Sequence, residues 1–227
     1  MDFQRILTAQ SKLMASWAGV PLDAHGVLRR LNCGGRQPPV FWIFNVADEP
    51  SRLAEALGPD QPVLFGRSLH ILIAPGDPDR ERMIAEMAAY YAGALAALPG
   101  WSGLRVGATC QGSGVALRAA RALMTMGRGV SSVSLIAARP RIRTDLPALL
   151  IHGSRDPDHD PFRQDPVGAG IMARHCFRSF RRAVVDMAHR EYSDEANVAI
   201  LADLLQEFWA ALPPDPRATA RSTILES

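Results

Sequence analysis

Lysine is almost missing from this chain: Lys12 is the only one, and arginine supplies the remaining basic residues. That asymmetry reads as a compositional bias of the source, with no mechanism attached to it. Net charge is also scarce, at +2 formal charge, which gives no reason to expect nucleic acid as a partner. No apolar run approaches the roughly 18 residues of a membrane span. The start, Met1-Asp2-Phe3-Gln4-Arg5, lacks the apolar stretch of a signal peptide, so a cytoplasmic location is expected. Cysteine is limited to Cys33, Cys110 and Cys176, an odd number at wide spacing. Free thiols in a reducing compartment fit that pattern, and neither a disulfide framework nor metal-ligand spacing is present. There is no internal repeat and no convincing domain boundary. What is there, 48% apolar and 21% charged residues over 227 positions, suits one globular domain with a substantial core.

Strand and helix patterns alternate along the chain. Helical spacing of Ile6, Leu7, Leu13, Met14 and Trp17 predicts an N-terminal helix over residues 3–19, within a segment 1–25 packed on the main domain. Strands are expected over 26–31, 39–44, 62–67, 103–106, 130–137, 147–151 and 182–187. The 39–44 and 147–151 runs are apolar throughout, as in a parallel strand covered on both faces. Helices are expected over 49–57, up to about Leu98, over 115–126, around 171–176 and over 195–212, with an irregular Asp/Pro-rich loop over 156–166. The domain spans 26–212, and a Pro-rich polar tail, 213–227, is expected to be disordered. The alternation predicts an α/β fold, a mainly parallel sheet with helices on both faces.

The chain is organised around Val106-Gly107-Ala108-Thr109-Cys110-Gln111-Gly112-Ser113-Gly114. A residue at a sharp strand-to-helix corner is held in a strained conformation with its side chain projecting, and small neighbours let strand and helix approach. Such a nucleophile elbow usually reads G-x-S-x-G. Here Cys110 takes the serine's place. Asp156 follows the 147–151 strand and His189 follows the last one, so nucleophile, acid and base lie in chain order at the carboxyl ends of strands, where sites in such sheets form. His189 is the expected base and Asp156 the residue fixing its tautomer, although Asp158 and Asp160 share the same loop. The helix N-terminus and the imidazole are expected to lower the thiol pKa. The backbone N–H groups of Gln111 and Val46 are the expected oxyanion donors. His25, His70, His152, His159 and His175 are expected to be structural or exposed, and Asp186 to point off the sheet.

Three stretches carry a family resemblance: Leu28 to Phe41 (LRRLNCGGRQPPVF), Leu57 to Val63 (LGPDQPV), and Val106 to Leu123. In order and content they resemble the thioesterase domains of nonribosomal peptide and polyketide synthases, over about residues 28–137 and more loosely to 212. The resemblance implies an α/β-hydrolase fold with no bound cofactor. It also implies a substrate presented as a thioester on the phosphopantetheine of an acyl or peptidyl carrier protein, with that protein or neighbouring synthase modules as partners. The chain departs from the pattern at four places. Cys110 replaces the usual serine, as in some members; Phe44-Asn45 stands where His-Gly is usual; and Ala137-Ala138-Arg139 stands where many members carry the acid, which favours Asp156. Finally, the connection from Ala138 to Asp145 is too short for the family's helical lid, so the site is expected to be open.

A thiolate attacking a thioester exchanges one C–S bond for another, and the acyl-enzyme stays activated. The expected activity is therefore thioesterase or acyltransferase, releasing the chain by hydrolysis, aminolysis or cyclisation. The small size, the absent lid and the Cys, Asp, His order also resemble dienelactone hydrolases, which keeps a small ester or lactone hydrolase open. A non-catalytic hydrolase-like module that binds a partner is the third alternative, motivated by the altered oxyanion loop.

Overall fold

A computed structural model describes residues 2–99, 101 and 103–213; the expected disordered tail lies outside the described residues apart from Pro213. The strands are β1 (Val20–Pro21), β2 (Arg29–Leu31), β3 (Val40–Phe44), β4 (Val63–Arg67), β5 (Leu104–Thr109), β6 (Val130–Ile136), β7 (Pro147–Gly153) and β8 (Ser179–Val185). They form one eight-stranded sheet in the order β1-β2-β4-β3-β5-β6-β7-β8. β2 runs antiparallel to both of its neighbours, and the pairs from β4 through β8 are all parallel. Each parallel pair needs a crossover, and helices supply most of them: α2 (Glu49–Leu57), α3 (Arg80–Ala97), α4 (Ser113–Thr125), α5 (Pro161–Gln164) and α6 (Pro166–Cys176). The chain opens with α1 (Phe3–Met14), and α7 (Glu195–Ala210) is the last helix of the described residues.

Every residue of β3 and β4 is buried, as a fully apolar run such as Val-Phe-Trp-Ile-Phe requires. α3 and α4 pack on each other and α4 lies on β3, β5 and β6, while α2 and α7 pair elsewhere on the sheet. α3 turns Met83, Ile84, Met87, Ala88, Tyr91, Ala92 and Leu95 inward at helical spacing, closing one continuous core with the sheet.

Three expectations are corrected here. The N-terminal helix stops at Met14, and the chain then turns at Gly19 (φ 90°) into Val20–Pro21, which pairs with β2. The last strand begins at Ser179 instead of 182 and ends at Val185. It is an edge strand whose Arg181 and Arg182 are exposed, so the apolar pattern that marks inner strands is absent from its first half. The Asp/Pro-rich segment is not an irregular loop. Its three Asp-Pro pairs each open a helical turn: Asp156-Pro157 a turn of 3-10 helix over Pro157–His159, Asp160-Pro161 α5, and Asp165-Pro166 α6.

Candidate active site

β5 delivers Cys110 to the corner with φ 48°, the left-handed value that marks a strained elbow, and one turn of 3-10 helix leads on into α4. Two glycines follow the cysteine, and only one is sterically required. A Cβ on Gly112 would stand 2.7 Å from both the Cγ2 and the carbonyl oxygen of Ile43, whereas one on Gly114 would meet nothing closer than 3.5 Å. Gly112→Ala is therefore expected to cost about 1–3 kcal/mol, read as a lower Tm, with Gly114→Ala near neutral.

The segment after β7 carries the candidate acid, Asp156, among several aspartates. Asp160 and Asp165 spend a carboxylate oxygen capping their own helices, on the N–H of Phe162 (3.0 Å) and Gly168 (2.9 Å). Asp160 is also fully buried against Arg182 (2.6 Å), and Asp158 is exposed. Asp156 caps nothing. Its carboxylate, 5% exposed, accepts from Nδ1 of His189 at 2.9 Å and from Nδ1 of His159 at 2.7 Å, one oxygen to each ring. Tyr192 adds a longer hydroxyl bond of 3.4 Å. Burial pushes the Asp156 carboxyl up, but the bonds from the two histidines outweigh it and hold it below the usual range. With Nδ1 committed to Asp156, each ring keeps Nε2 for chemistry.

The two imidazoles stack with centroids 3.7 Å apart and planes 21° from parallel. Each lines a different cavity, and Cys110 lines both: His189 shares one of about 540 Å³ with Cys110, and His159 shares one of about 580 Å³. The structure thus brings Cys110 and His189, with Asp156 bonded to the His189 ring, together at one end of the sheet, along with Gln111, the residue after Cys110. His159, expected to be structural or exposed, is exposed, and it also stands against His189 and Asp156. Its signal in the sequence was the spacing Asp156-x-x-His159, since residues i and i+3 eclipse across a 3-10 turn. Among the described residues, Asp156, His159 and His189 also offer ligand atoms within 4.8 Å of one another, a spacing a single metal ion could bridge.

No protein-family model matches the chain, and no curated protein is similar to it in sequence. Solved structures are similar. The NocB thioesterase domain from the nocardicin cluster superposes with a TM-score of 0.63 at 18% identity, over 82% of this chain and 99% of that one. YbtT, a type II thioesterase from the yersiniabactin NRPS/PKS pathway, gives 0.60 at 14%, over 82% and 100%. The SrfTE thioesterase domain, described for cyclisation of the lipopeptide antibiotic surfactin, gives 0.56 at 12%, over 86% and 99%. The chain has the α/β-hydrolase fold of these thioesterase domains.

Within this thioesterase fold the connection from β6 to β7 (137–146) holds no helix. The loop after β3 differs from expectation. The N–H groups of Asn45 (2.7 Å) and Val46 (3.2 Å) both donate to Oε2 of Glu49, the first residue of α2, so the Val46 donor is occupied. Asn45 is itself fixed, donating to the carbonyl of Thr109 (3.2 Å) and accepting from Ser68 (2.7 Å). Burial pushes the Glu49 carboxyl up.

The thiol also departs from expectation. Burial pushes the Cys110 pKa up and the negative charges of Asp156 and Glu49 add to it, outweighing the hydrogen bond from the Gln111 backbone. Glu49→Gln keeps an acceptor for the loop and removes one charge. It is expected to speed alkylation of Cys110 by iodoacetamide at neutral pH by roughly two- to tenfold. Peptide mass mapping of the alkylated protein measures it, and an unchanged rate would show that Glu49 does not bear on the thiol.

Proposed function

We propose that this chain is a thioesterase or acyltransferase that takes an acyl or peptidyl group from the phosphopantetheine thioester of a carrier protein onto Cys110. Thioesterase domains of synthase systems are its structural neighbours, and one matched structure is a four-domain nonribosomal peptide synthetase, of which this chain covers 20%. A carrier protein or neighbouring synthase module is the partner this reading calls for. A reducing, cytoplasmic setting suits its three free cysteines.

In the first half-reaction Nε2 of His189 takes the Cys110 proton and Sγ attacks the thioester carbonyl. The old C–S bond then breaks, and the proton passes to the departing pantetheine sulfur. Asp156 fixes the His189 tautomer and balances the imidazolium. The Gln111 N–H supports the oxyanion, and the Val46 N–H joins it once Glu49 gives way. In the second half-reaction water, an amine or a hydroxyl attacks the acyl-enzyme carbonyl and Sγ leaves. No bound cofactor enters either half.

The observation that carries this reading is the pairing of Asp156 with Nδ1 of His189, which leaves Nε2 unspent on a ring that lines a cavity shared with Cys110. Intact mass after mixing with a panel of acyl-pantetheine thioesters tests it. An acyl adduct is expected on the native chain and none on Cys110→Ala; no adduct with any acyl type would overturn the reading. One observation favours the alternative of a non-catalytic partner-binding module: two loop N–H donors are already spent on Glu49. That alternative predicts no adduct.

A further inference from the structure

The acyltransfer reading leaves His159 without a task, although Asp156 holds it as closely as it holds His189. A loop ion pair would explain a histidine bonded to an aspartate three residues earlier, but not the rest of its setting. The ring is stacked on His189, its Nδ1 is committed to a buried carboxylate, and it lines a second cavity that Cys110 also lines. His159 is partly exposed, with 43% of its side chain open to solvent, so Nε2 is within reach of a small molecule entering there. That cavity also contains Leu117, Ala138 and Ile142 with arginines Arg139 and Arg141, room for a second reactant beside an acyl group.

We propose that His159 is a second acid–base residue, serving the acceptor while His189 serves the thiol. The inference rests on the acyltransfer reading. Once the acyl group is on Sγ, an amine, hydroxyl or water in the His159 cavity presents its X–H to Nε2. The lone pair on X attacks the acyl carbonyl and a C–X bond forms, while the X–H proton moves to His159. The C–Sγ bond then breaks with its electron pair on sulfur. The imidazolium of His159 releases its proton to solvent, and Sγ regains one through His189. One carboxylate orients both bases, so each half-reaction has its own proton acceptor in its own cavity.

Single-turnover intact mass spectrometry with an acyl-pantetheine thioester separates the halves by following growth and decay of acyl-Cys110. His159→Gln and His159→Ala are expected to acylate within about twofold of the native rate. Their adducts are expected to decay roughly tenfold or more slowly, and added imidazole should restore decay in His159→Ala. His189→Ala should fail at acylation. Equal slowing of growth and decay in the His159 variants would make His159 a positioning group for His189 and overturn the proposal; native decay would overturn it too. In both of those outcomes native adduct formation leaves the acyltransfer reading standing, whereas a native chain that never acylates removes both.

Discussion

Asp156→Asn is expected to lower turnover of a thioester substrate by about 10³–10⁴-fold while leaving the protein folded. The aspartate accepts from both imidazoles through separate oxygens. An asparagine offers one oxygen and one NH₂, so at least one ring must turn over or lose its partner, and neither imidazolium keeps its counter-charge. Both growth and decay of acyl-Cys110 should slow, unlike the one-sided defect expected at His159. Single-turnover mass spectrometry and a thermal melt measure the two aspects. Native acylation by the variant would remove Asp156 from the mechanism. Asp158→Asn supplies the comparison: that side chain is exposed, and its rates should stay within about twofold.

Four residues on, the same substitution chemistry should act on the fold. Asp160→Ala is expected to destabilise by about 2–4 kcal/mol, a fall in Tm of roughly 5–15 °C by calorimetry. Asp160 is fully buried, bonds Arg182 at 2.6 Å, caps α5 through the Phe162 N–H, and lies 3.9 Å from Nδ1 of the buried His152. Arg182 is partly exposed and can reach water once abandoned, which places the cost toward the lower end for a broken buried pair. Acylation by the folded fraction should persist. A variant with a native Tm would show that the pair does not support this end of the sheet.

Reading the chain alone located the inner strands well, because a strand with both faces covered writes a continuous apolar run, as at Val40–Phe44. The edges were harder. Ser179–Arg182 is the first half of the edge strand β8 and breaks the apolar pattern, and Val20–Pro21 pairs with β2 after the chain turns at Gly19. The corner at Cys110 was legible from the elbow spacing, and the nearness of Asp156 and His189 from their places after strands. The choice of Asp156 over Asp158 and Asp160 was not, since it depends on which carboxylates are spent on capping. The contact of His159 with Asp156 was not legible, because it spans a 3-10 turn hidden inside what looked like a structureless loop. The state of the thiol was misjudged for a different reason. Spacing indicates a helix N-terminus, but not how deeply a side chain is buried or that Glu49 and Asp156 stand nearby.

The short connection between β6 and β7 has a consequence for selectivity. An enclosed pocket measures a substrate by its far wall, so length is read like a ruler against a stop. Residues 137–146 build no helix over Cys110, and the wall that would set such a stop is missing from this side. On the proposed reading, chains of very different length should be acylated at similar rates, and any preference should come from the few atoms next to the carbonyl.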